Sequence, residues 1–164
     1  MRRQLGWCAL LLSISTRTGA NSACVRVSAE ASTHLIASCT ERKRAPIPED
    51  LHLGALEDGL PSVRAERWWA RLTAQRDVRH PSASNLYGGE HWTLTQRSLE
   101  ILNSAHGDAE LWITSAGYGL IRASAPLRPY SATFAQGVPD SVPRGVVAGW
   151  SRSALLQAWW ACLG

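Results

Sequence analysis

The sequence predicts an α/β fold, a single domain in which a small, largely parallel sheet is flanked by helices. Two short, mostly apolar runs, residues 33–38 and 111–114, read as strands, and two stretches with apolar residues at helical spacing lie between them. Strands separated by helices imply βαβ-like connections and hence parallel pairing. At 164 residues the chain is the size of one domain, and its 45% hydrophobic and 18% charged residues match a globular protein rather than a disordered one.

Residues 1–30 read as a leader, disordered or spurious, because a start at Val25 or Val27 would begin just before the first convincing strand. The alternative is a secretory signal. Arg2 and Arg3 precede an apolar stretch from Leu5 to Ile14, and small residues follow at Gly19 and Ala20. The shortness of that stretch, the polar Thr16 and Arg17 after it, and Asn21 at the best cleavage position count against export.

Residues 31–164 form the expected domain. The first strand ends in polar residues, which places Cys39 at its carboxyl end. Between 42 and 61, Pro46, Pro48, Gly54, Gly59 and Pro61 forbid a long regular element and predict a loop of unusual length. From 62 to 76, Ala65, Trp68, Trp69 and Leu72 recur at i, i+3, i+4 and i+7, with Ser62 as the expected N-cap, and predict an amphipathic helix. Arg64, Arg67 and Arg71 then share a flanking face. A turn-rich segment over 81–89 leads into a second helix over 90–105, with Trp92, Leu99 and Leu102 on one side. The strand at 111–114 follows, with Ser115 at its carboxyl end. Residues 126–149 are rich in Pro and Gly and read as loop, and 151–163 as a Trp-rich closing helix. So abrupt an ending after Trp160 leads us to expect sequence missing at the C-terminus.

The formal charge of +4 invites a nucleic-acid reading, but residues 1–26 carry Arg2, Arg3, Arg17 and Arg26 with no acid, so the body of the chain is formally neutral. Cys8, Cys24, Cys39 and Cys162 are too scattered for a disulfide framework and contain no CxxC pair. The five histidines lack metal-ligand spacing, so no metal and no cofactor is expected. Past the N-terminus no apolar run is long enough for a membrane span.

One composition detail stands out. Lys43 is the chain's single lysine among 17 basic residues. Lys is a compact charge that can shed its proton when buried and can form Schiff bases, which Arg cannot. Four blocks surround this clue: Ser38-Cys39-Thr40 with Lys43; Asn85-Leu86-Tyr87-Gly88-Gly89; Thr114-Ser115-Ala116-Gly117-Tyr118-Gly119-Leu120; and Pro129-Tyr130-Ser131-Ala132-Thr133-Phe134. In open α/β sheets ligands bind beyond the carboxyl ends of strands, where Cys39 and Ser115 would meet. Gly117 and Gly119 allow backbone amides to approach an anion or flat ring, and Gly88 and Gly89 precede a helix whose first N–H groups could receive a phosphate. No block is a Walker loop or a Rossmann fingerprint. The tryptophans could stack on bases, but the spacing of Trp68, Trp69, Trp92, Trp112, Trp159 and Trp160 favours the core.

The order of these blocks resembles an uncharacterised bacterial and phage family that is distantly similar to the peroxide-stress protein YaaA and to the core domain of archaeosine synthase. Cys39, Thr40, Lys43, Leu86, Tyr87, Ser115, Ala116, Tyr118, Gly119, Leu120, Pro129 and Tyr130 carry the resemblance. Thr40 replaces a commoner Ser, and Gly117 stands where a basic residue is frequent. The resemblance implies DNA or modified-base biology.

The expected function is therefore a cytoplasmic enzyme acting on a nucleobase, nucleotide or nucleic acid, by base-modifying transfer or glycosidic chemistry. Cys39, Lys43, Ser115 and Tyr118 are its candidate catalytic residues. Thr40, Tyr87, Gly88, Gly117, Gly119 and Tyr130 are candidates for binding substrate. Lys43 would hold a phosphate or act as amine nucleophile, and Cys39 would be a thiol nucleophile if Lys43 lowers its pKa. The alternative is a non-catalytic DNA- or RNA-binding module of YaaA-like type using Arg64, Arg67 and Arg71. A third reading, a small secreted protein without enzymatic role, depends wholly on the leader.

Overall fold

A computed structural model describes residues 32–75, 78–144 and 147–163. The expectations for the leader and for the last residue lie outside these. In chain order the elements are β1 (Thr33–Ser38), α1 (Pro61–Thr73), α2 (Ala83–Leu86), α3 (Glu90–His106), β2 (Ala109–Ser115), β3 (Gly119–Arg122) and α4 (Arg152–Leu163). Two single 3-10 turns, Glu49–Leu51 and Leu53–Ala55, interrupt the loop before α1.

The fold is mixed α/β, but its sheet is not largely parallel. Among the described residues it has three strands in the order β1-β2-β3, with β1 parallel to β2 and β3 antiparallel to β2. The parallel pair is the expected one, since the helices between β1 and β2 supply the crossover. The antiparallel strand was not predicted. Only Ala116, Gly117 and Tyr118 separate β2 from β3, too short a link for any return but a hairpin, and Gly119 enters β3 at φ +76°.

Burial follows position in the sheet. Central β2 buries Leu111, Ile113 and Ser115 in strict alternation, whereas edge strand β1 buries only Leu35 and leaves Ile36 half exposed. The helix α1 starts two residues earlier than expected, with Leu60 rather than Ser62 as N-cap and Pro61 in its first turn; proline's fixed φ and missing N–H suit that place. It buries Ala65, Trp68 and Leu72 as predicted, together with Arg64, which was not. On α3, Trp92 is buried and Leu99 and Leu102 pack against the core. One hydrophobic cluster gathers residues from Leu35 to Trp159, including three fully enclosed tryptophans, Trp68, Trp92 and Trp159. Enclosing such large rings is the main driving force available to a domain of this size.

Loops are clipped to this core by polar contacts. Asp140 accepts the Gly54 N–H at 2.8 Å and lies 3.0 Å from His52 Nδ1. Burial alone would raise the Asp140 carboxyl, but hydrogen bonds from Ser131, Gly54 and His52 outweigh it and hold the group below its ordinary value.

Candidate functional site

Three of the four sequence blocks, and the Tyr130 of the fourth, meet at the carboxyl ends of β1 and β2. The Cys39 N–H donates to the Thr114 carbonyl at 3.0 Å, so Cys39 continues the parallel pairing by one residue and lies beside the end of β2. The chain then curls. Thr40 Oγ1 donates to the Arg42 carbonyl at 3.1 Å, and Lys43 Nζ turns back to donate to the carbonyls of Thr40 at 2.6 Å and Glu41 at 3.3 Å. These contacts suit an ammonium, which offers three donors from a single atom.

The Leu86–Gly88 segment is zipped to this curl. Arg44 N–H donates to the Leu86 carbonyl at 2.8 Å and Gly88 N–H to the Arg42 carbonyl at 3.0 Å, bridging Lys43 to Tyr87. The result places Lys43 Nζ 5.2 Å from the Tyr87 ring centre and 4.7 Å from that of Tyr130, both within cation–π range. Lys43 is half-buried. Desolvation lowers its pKa, against smaller upward pulls from Cys39 and Glu41.

Below Lys43 runs a buried chain of hydroxyls whose direction follows from counting protons. Ser115 Oγ accepts the N–H groups of Tyr118 at 3.0 Å and Gly117 at 3.3 Å, which occupies both of its lone pairs. Its own proton therefore goes to Tyr130 Oη, 2.6 Å away. Tyr130 in turn donates to Tyr87 Oη at 2.9 Å. Ser115, Tyr130 and Tyr87 are all fully enclosed. Burial raises the pKa of Tyr87 and Tyr130, and the neighbouring Cys39 adds to the rise in both.

This geometry separates the expected catalytic residues into two kinds. Lys43 and Cys39 are only partly buried and stand at the rim. Ser115 is sealed, with both lone pairs engaged, and supports the cluster rather than offering a free nucleophile. Tyr118 is similarly committed: its hydroxyl donates to the Arg128 carbonyl at 3.3 Å and accepts the Arg128 N–H at 3.0 Å. Burial pushes its phenol up to about 12. The expected anion cradle is also occupied, because the amides of Gly117 and Tyr118 are spent on Ser115.

Gly117 has a packing reason instead. A Cβ there would lie 2.5 Å from Tyr130 Cε2. The indoles of Trp68 and Trp159 donate to the carbonyls of Gly117 and Ala116 at 2.9 and 2.8 Å, fixing the turn from behind. A Cβ on Gly119 would meet the Leu163 carbonyl at 2.9 Å. Gly88 is buried beneath the Arg44 stem, and Gly89, at φ +93°, begins α3, which has no side-chain cap. Arg42 and Arg44 flank that helix start.

The three arginines proposed for nucleic acid do not form an exposed patch. Arg64 is 3% exposed, donates to the Val142 carbonyl at 2.7 Å and lies over the Trp159 ring. Its Nε and Nη2 have no partner among the described residues, and desolvation lowers its pKa. Arg67 pairs with Glu57 at 2.9 Å, and Arg71 donates to the Asp50 carbonyl. Spacing on a helix assigned these three to one face; the width of the buried stripe, which takes in position 64, decided otherwise.

A cleft of about 860 Å³ beside Tyr118 is lined by Trp69 and Asn85, of which Trp69 was expected in the core and is instead 43% exposed, and by Arg79 and His80, to which sequence gave no role. A signal for Trp69 existed: adjacent residues on a helix are about 100° apart, so Trp68 and Trp69 cannot both sit at the centre of the buried stripe. Among the described residues no group of three or more His, Cys, Asp or Glu is arranged to hold a metal, and no helix is long and apolar enough to cross a membrane. No protein-family model, curated protein or solved structure matches this chain.

Proposed function

We propose that Lys43 and Cys39 are the reactive groups of an intracellular enzyme that acts on a nucleobase, nucleotide or nucleic acid, by base-modifying transfer or glycosidic chemistry. The observation that carries this reading is the setting of the chain's one lysine: a half-buried amine, its proton loosened by desolvation, held over two tyrosine rings at the carboxyl ends of paired strands. An amine of this kind, once deprotonated, attacks an electrophilic carbon with its lone pair while the leaving group departs with the bonding electrons. Cys39 is the second nucleophile within the same electrostatic neighbourhood. Ser115, Tyr130 and Tyr87 act as positioning residues that fix the floor beneath Lys43. Arg42 and Arg44 at the uncapped start of α3 suit a phosphate. The substrate class itself comes from the sequence resemblance.

The binding-module reading relied on Arg64, Arg67 and Arg71 as one exposed face, and the burial of Arg64 with the pairing of Arg67 to Glu57 weakens that support. The test is thermal-shift binding by the full chain, wild type beside Lys43→Ala, against free bases, nucleotides, tRNA, and single- and double-stranded DNA. Stabilisation by a base or nucleotide that is lost in Lys43→Ala supports the enzyme. Stabilisation by polymer alone, unchanged in the variant, supports the module. Once an activity is in hand, Lys43→Arg should abolish it while the fold persists, and full activity in that variant would remove the case for an amine.

A further inference from the structure

The large cleft is lined by Tyr118, whose ring packs edge-on against Tyr130 of the hydroxyl chain, at 5.1 Å, and against Trp69, at 6.5 Å. Its lining combines two features that suit a flat, charged ligand. The first is exposed apolar area: Trp69 is 43% and Val78 54% exposed, although Trp68 next door is fully enclosed. The second is charge of one sign. Arg79 and Arg128 line the cleft, and among the described residues no Asp or Glu does. A second cleft, about 510 Å³ beside α1, lacks this bias because Glu57 lines it and pairs with Arg67.

The charges can be sorted by what holds them. Arg128 is buried and turned away, donating to the Arg71 carbonyl and facing Asp50 at 3.7 Å. Arg79 is exposed and has no carboxylate partner among the described residues. His80 places Nε2 3.0 Å from the Gln75 carbonyl, so that nitrogen donates and the ring is committed to the turn after α1. Asn85 is exposed at the same cleft and offers a paired amide donor and acceptor.

We propose that this cleft is a nucleotide-binding site, with the base laid against Trp69, its edge read by Asn85, and the phosphate taken by Arg79. A planar ring with polar edges, joined to an anion, is the ligand class that uses all of these groups at once. The inference rests on the nucleotide reading of the Lys43 centre only for the substrate class, and the two are separable by mutation.

The experiment is calorimetric titration of the full chain at low salt with adenosine monophosphate, adenosine, ribose 5-phosphate and a short oligothymidylate. Variants are Trp69→Ala, Trp69→Phe, Arg79→Gln and Lys43→Ala, each checked for an unchanged melting transition. The nucleotide or the oligonucleotide should bind, and both adenosine and ribose 5-phosphate should bind at least about tenfold more weakly. Trp69→Ala and Arg79→Gln should each cost about tenfold, Trp69→Phe should retain most of the affinity, and added salt should weaken the wild type more than Arg79→Gln. Tighter binding of the mononucleotide or of the strand identifies the source of the ligand. The proposal fails if neither binds, if ribose 5-phosphate matches the nucleotide, or if affinity survives Trp69→Ala and Arg79→Gln. Binding lost only in Lys43→Ala would overturn this cleft while supporting the Lys43 centre.

Discussion

At the end of β2, Ser115, Tyr130 and Tyr87 link three buried hydroxyls into one continuous chain, whereas on α1 the equally buried Arg64 spends one N–H on Val142 and leaves Nε and Nη2 without a partner among the described residues. Trp159 touches both, its indole N–H donating to Ala116 behind the hydroxyl chain and its ring lying against Arg64. The difference lies in satisfaction. A continuous buried network is held in one arrangement, because breaking any link strands a donor or acceptor in low dielectric. A half-satisfied guanidinium bears its desolvation cost without that return.

Mutations at the two clusters should therefore move stability in opposite directions. Ser115→Ala removes the acceptor for two amide N–H groups and the donor to Tyr130, and should destabilise by about 3 kcal/mol in urea unfolding. Gly117→Ala drives a methyl into the Tyr130 ring and should cost about 2 kcal/mol. Arg64→Met, a swap of similar length, should cost nothing or stabilise by up to about 1 kcal/mol. A large loss at Arg64 would mean that its free N–H groups are satisfied after all and that the contrast is false.

The hydroxyl chain also sets a pH response. The protein has three tyrosines, Tyr87, Tyr118 and Tyr130, and all three phenols are raised by burial. A raised folded pKa gives stability that is complete below the unfolded value near pH 10 and is lost as pH climbs through the folded one, about 12 for Tyr118. At pH 11 the native protein should thus show little tyrosinate absorbance, while the guanidinium-unfolded chain shows most of it. Matching spectra would place the phenols in water.

Much of the site was legible before any fold was known. Strand ends could be placed because apolar runs stop at polar residues, so Cys39 and Ser115 were brought together by one parallel pairing, and Tyr87 and Tyr130 followed by their glycine- and proline-marked turns. What sequence did not carry was the direction in which side chains are consumed. The amides of Gly117 and Tyr118 looked free to bind an anion and are instead taken by Ser115, a contact that depends on the hairpin into β3. Arg64 looked solvated because charge is ordinarily placed outside, and only the packing of α4 over it through Trp159 reveals its burial. Trp69, at helical spacing with the core, was released to the surface because Trp68 already fills the stripe.

The central claim is that Lys43 is held in a setting that loosens its proton, and the uniqueness of this lysine allows that to be read without assignment ambiguity. Reductive methylation of the full chain with 13C-formaldehyde labels Lys43 and the α-amino group alone, and the Lys43 signal can be followed by NMR from neutral to alkaline pH in native and unfolded protein. The account predicts a native midpoint clearly below both the unfolded midpoint and the ordinary value of 10.5. Coincident native and unfolded midpoints, or a native one shifted upward, would make Lys43 an ordinary cation that caps two carbonyls and would contradict its role as the reactive amine.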